Sequence, residues 1–78
     1  MSTKVRIVPS GDQHTDQKWL VLECSVDGYP QVTKRRSINT AALADGSLSL
    51  LDERDRLVAD VEEYLARFLA VEEAKKQL

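Results

Sequence analysis

From Leu50 to Leu78 the chain contains neither glycine nor proline. Leucine, alanine, glutamate and arginine dominate this stretch, and all are good helix formers. Ser49 precedes Leu50-Leu51-Asp52 in the pattern of a capping box, with Asp in place of the usual Glu. Asp52, Glu53 and Asp55 stand in the first turns and Lys75 and Lys76 in the last, which complements the helix dipole. The spacing predicts one long helix over residues 50–76. An apolar stripe of Leu57, Val58, Val61, Tyr64, Leu65, Phe68 and Leu69 recurs along it at intervals of three and four. A seven-residue recurrence (Leu50, Leu57, Tyr64, Val71, Leu78) overlies the stripe, but Arg54 and Lys75 interrupt it as an extended coiled-coil seam.

Such a helix is about 40 Å long, in a chain of only 78 residues. That length allows one small domain, residues 1–78, with a core of roughly a dozen side chains and no deep enclosed pocket. Hydrophobic residues make up 42% and charged residues 31%, a globular rather than a disordered balance.

Ahead of the helix, three segments read as strands. Residues 3–8 alternate polar and apolar, with Val5 and Ile7 on one face, and Pro9 ends the run. Residues 10–16 hold glycine, aspartates, glutamine and His14, and read as a loop. In residues 18–26, Leu20, Leu22, Cys24 and Val26 face the core while Trp19, Val21, Glu23 and Ser25 face away. Asp27-Gly28 marks a hairpin into a third strand over residues 31–38. A two-residue turn would set Gln31, Thr33 and Arg35 on the leucine face. A three-residue loop, Asp27-Gly28-Tyr29, would pair Val26 with Pro30 and Cys24 with Val32 and bury Val32, and it is the expected form. It leaves Lys34 and Arg36 on the core side, their stems over apolar surface and their heads in water. Residues 40–44 form one helical turn in the connector. The expected fold is α+β, a three-stranded antiparallel meander sheet (βββ) packed against one long C-terminal α-helix.

A sheet of six-residue strands is only about 20 Å long, so it cannot cover the whole helix. The loop of residues 39–47 folding back, a second copy of the chain or a different partner could cover the surplus, and the expected form is a homodimer through Leu57, Tyr64, Phe68 and Val71. Small domains commonly gain core by such association. Truncation of Phe68 to alanine is expected to cost about 3–5 kcal/mol if its ring is fully buried.

Net charge is −2, too weak a field for bulk attraction to nucleic acid or membrane. The halves differ, however. Residues 1–39 carry six basic and four acidic groups, and residues 40–78 carry five basic and nine acidic. One cysteine, Cys24, forms no internal disulfide and reads as a small core hydrophobe. Residues 1–6 lack the apolar segment of a secretory signal, and no apolar run nears the roughly 20 residues that span a bilayer. A cytoplasmic protein is expected.

The sheet face away from the helix presents Lys4, Arg6, Trp19 and Arg35, with Lys34 and Arg36 at its edge. These six are the candidate partner-binding residues, since an aromatic plane among cations suits either acidic protein or nucleic acid. The layout resembles the sheets of integrase amino-terminal and AP2-type DNA-binding domains, and in layout alone. Cross-strand pairing of the basic residues with Glu23 is the competing explanation. Asp12, His14 and Asp16 supply at most three metal ligands on a loop, and a solvated loop is the expected reading. No nucleophile–base pair, phosphate loop or metal set is present, so neither an enzyme nor a cofactor is expected. The expected function is a non-enzymatic protein-interaction module, in the style of phage and mobile-element accessory proteins that occlude a host enzyme or defence protein. Its acidic helix residues (Asp52, Asp55, Asp60, Glu62, Glu63) would mimic phosphates. The alternative is a nucleic-acid-binding βββα domain; no membrane or small-molecule partner is expected.

Overall fold

The computed structural model describes residues 2–9 and 18–78. The loop expected over residues 10–16, with the His14 grouping, lies outside the described residues. Five elements follow in order: β1 (Thr3–Val8), β2 (Trp19–Val26), β3 (Tyr29–Asn39), α1 (Thr40–Ala44) and α2 (Leu50–Lys75). The strands form one antiparallel sheet in the order β1-β2-β3, and α2 packs across one face of it. The architecture is the expected meander-plus-helix α+β fold.

The β2–β3 hairpin departs from expectation. Its turn is the two-residue Asp27-Gly28, with Val26 opposite Tyr29 and Gly28 at φ 83°. A glycine carries that positive φ at no steric cost. The surplus length sits instead inside β3, because Cys24 is opposite Lys34, so that Pro30 to Thr33 bow out across Ser25 alone. Pro30 has no N–H to give a ladder, and the Thr33 hydroxyl donates to the Pro30 carbonyl at 3.0 Å, closing the irregularity. Val32 is fully buried, as expected, but through this bulge rather than a three-residue loop.

Both helices are capped by their own sequence. The Asn39 side chain accepts from the N–H groups of Ala41 and Ala42 at the start of α1. The Ser49 hydroxyl accepts from the Asp52 N–H at 3.3 Å at the start of α2. Between them, Gly46 reverses the chain at φ 82°, and Leu43 and Leu48 fold against the core.

The core is Leu22, Cys24, Val26, Val32, Ile38, Leu57 and Val61, flanked by half-buried Val58, Leu65 and Phe68. Tyr29 and Phe68 meet edge to face, with centroids 6.0 Å apart. The helix lies mostly over β3, less over β2 and least over β1. Ile7 therefore shares the helix-side face with Leu22 yet is 62% exposed. It is not the core residue that alternation alone suggests.

The helix is unbroken and outruns its sheet. The molecule measures 52 × 24 × 18 Å, and a helix of 26 residues accounts for about 39 Å of the long axis. Only Glu53, Leu57 and Val61 of α2 are buried. No helix is long and apolar enough to cross a membrane among the described residues.

Candidate interaction surfaces

Register decides which candidate residues share a face, since residues directly opposite in an antiparallel pair point the same way. Glu23 lies at the centre of the face away from α2, between Arg6 on β1 and Arg35 on β3. Arg6 donates through Nε and Nη2 to Glu23 Oε1, at 3.0 and 2.8 Å. Arg35 donates through Nε to Oε2 at 2.9 Å. Each carboxylate oxygen thus takes its own guanidinium, and the two arginines close over the acid, which is nearly inaccessible. The Arg6 hydrogen bonds, then that of Arg35, hold the Glu23 carboxyl below its ordinary pKa.

Lys4 pairs with Asp27 at 3.5 Å, and the Ser2 hydroxyl donates to the same carboxylate at 2.8 Å. The hydroxyl chiefly, and the lysine charge next, keep the Asp27 pKa low. Trp19 stands on this face opposite Asn39 and is 47% exposed. Lys4, Arg6, Trp19 and Arg35 therefore do share one face. Lys34 and Arg36 do not join them, because their partners in the register, Cys24 and Leu22, point at the helix. The expected six-residue patch is divided between two faces.

On the helix side, Arg36 pairs with Glu53, and Arg56 approaches the other oxygen of the same carboxylate at 3.5 Å. The Glu53 side chain is 5% exposed and that of Arg36 36%. Lys34 reaches over the ring of Tyr64, Nζ 5.2 Å from the centroid. Each of the five basic candidates thus has an intramolecular partner. Sequence reasoning missed Glu53, although a signal existed: an acid sits on the helix stripe four residues before Leu57, while the expected register left Arg36 facing the same core. Two unlike charges turned inward from different elements predict a pair.

The expected dimer residues are also divided. Leu57 is 2% exposed within the single chain and cannot serve a partner. The stripe alone could not show this, because it does not locate the sheet along the helix. Phe68 is half-buried against Tyr29. Tyr64 and Val71 remain open at 40% and 53%, and Leu78 is fully exposed. Beside Tyr64 a half-open cleft of about 260 Å³ is lined by Lys34, Asp60, Glu63, Tyr64 and Arg67.

Cys24 is buried in the core, and burial, helped by the charge of Glu62, pushes its thiol pKa up. A neutral, enclosed thiol is neither a nucleophile nor a ligand. Among the described residues no three His, Cys, Asp or Glu side chains form a metal-holding group.

The Glu23 and Asp27 shifts set a pH dependence. A carboxylate with a depressed folded-state pKa stabilises the fold above its unfolded value, about 4. That contribution fades as pH falls through the folded-state value. Thermal melts should therefore show the midpoint falling as the solution is acidified below about pH 4, with a shallower fall in Glu23→Gln. Parallel profiles for the two proteins would mean that the Arg6–Glu23–Arg35 ladder does not couple to folding.

No protein-family model, curated protein or solved structure matches the chain.

Proposed function

We propose that this chain is a non-enzymatic protein-interaction module that acts as a homodimer assembled through α2. The observation that carries the reading is the surplus of helix. Tyr64 and Val71, seven residues apart along α2, are both exposed. A helix stripe that its own sheet leaves open is the usual feature of a helix that packs on another chain. Pairing would leave the Trp19 face of each sheet outward, available to a larger target protein. In that arrangement the protein would act by covering part of its target rather than by chemistry, as an accessory protein that occludes a host enzyme or defence protein would.

The pairing of Arg6, Arg35 and Arg36 with enclosed carboxylates counts against the nucleic-acid alternative. Cations already engaged with carboxylates offer little counterion release to a phosphate backbone. Sedimentation velocity at micromolar concentration should give a species of twice the 8.8 kDa chain mass. A single species of one chain mass across that range would overturn the reading.

A further inference from the structure

We propose that the two copies meet along the flank of α2 that borders the β3 edge. In this arrangement the helices are antiparallel, the two-fold axis lies beside Tyr64, and Asp60 of each copy faces Arg67 of the other. The proposal rests on the self-association argued above and names its surface and register.

The flank is defined by spacing. Tyr64 and Val71 stand seven residues apart on one row of α2, and Asp60, Arg67 and Ala74 form the adjacent row. Together they make a continuous seam of the kind two helices share. The core takes only the amino-terminal ends of these rows, where the sheet buries Glu53 and Leu57.

Shape and charge both point to a second copy as the occupant. An isologous interface must match itself, so it needs projection and recess on one patch. Tyr64 is part exposed on this patch and forms one wall of the cleft, which is the recess. The cleft is lined by two cations, Lys34 and Arg67, and two anions, Asp60 and Glu63. Its formal charge cancels, so two such patches approach without net repulsion.

The charge pattern also selects direction and register. Asp60 and Arg67 are two helical turns apart, about 10.5 Å, with their midpoint beside Tyr64. An antiparallel crossing about that midpoint sets each aspartate on the partner's arginine, twice per dimer. Parallel pairing would oppose Asp60 to Asp60 and Arg67 to Arg67. That arrangement places like charges together, which is how helix pairs reject wrong partners and directions. Arg67 now bonds Glu63 one turn away, and both side chains are largely in solvent. Surface pairs of this kind are weak and exchange readily.

Charge reversal tests the proposal. Asp60→Arg and Arg67→Asp are each expected to raise the dimer dissociation constant at least about tenfold at low ionic strength, since each turns two attractive contacts into two repulsive ones. The double variant should return it to near the wild-type value. Sedimentation equilibrium on the full chain reads all four proteins, with circular dichroism showing that each is folded. If the wild type dimerises but the single reversals leave its constant unchanged, or the double fails to recover, the register is wrong and self-association stands. If the wild type sediments as one chain, both proposals fall.

Discussion

Leu57→Ala should lower the free energy of unfolding by about 3–4 kcal/mol, because it removes a branched side chain from the centre of the core and leaves a hole. Leu57 belongs to the buried cluster with Leu22, Cys24, Val26, Val32, Ile38 and Val61. The cluster joins one turn of α2 to the central strand β2 and the edge strand β3, so it has little freedom to collapse inward. A domain of this length has a total stability of about 4–12 kcal/mol, and the loss would be a large part of it. Urea unfolding followed by far-ultraviolet circular dichroism, at one fixed protein concentration, measures the change. Phe68→Ala should cost less than the 3–5 kcal/mol expected for a fully buried ring, since Phe68 is half-buried and rests on Tyr29 near the end of the sheet. An unaltered midpoint for Leu57→Ala, or a larger loss for Phe68→Ala, would place the core farther along the helix than the structure has it.

The second large effect is an asymmetry within one ion pair. Arg36→Ala should cost about 2–3 kcal/mol, and Glu53→Ala distinctly less. Both remove the same contact between β3 and α2. What differs is the charge left behind. Without Arg36, the carboxylate of Glu53 stays enclosed, with only Arg56 at the edge of contact distance. Without Glu53, Arg36 retains a partly open side chain and can turn its head into water. A buried charge without its partner costs more than an exposed one. Arg36→Met combined with Glu53→Leu should recover most of the loss, because apolar groups of similar volume need no partner. Equal losses in the two single variants would show that Glu53 reaches solvent freely.

These expectations differ in how far each could be reached from the residues alone. The helix was legible from Ser49 onward because capping, propensity and the three-four stripe all act within a few residues of one another. Strand positions and the outward face of Trp19, Val21 and Glu23 followed from alternation, which is also local. The hairpin was not legible in full. Burying Val32 was the right demand, but a longer turn and an internal bulge both meet it, and the choice between them rests on how Pro30 and Thr33 fit against Ser25. Among the candidate site residues, the division of Lys34 and Arg36 from Lys4, Arg6 and Arg35 was visible as alternation. Their partners were not, since Glu23, Glu53 and Tyr64 come from other elements.

Short-range rules thus specified the elements of this protein: which stretches are helical, which are extended, and that the helix exceeds any sheet the rest of the chain can make. Three-dimensional packing specified where the sheet sits along that helix, and so why Leu57 is enclosed while Tyr64 and Val71 are left open. It also specified which acid neutralises which base. The physical reason is range. Propensity and capping act through neighbours in the chain, whereas burial and ion pairing depend on surfaces that meet only after the chain has folded.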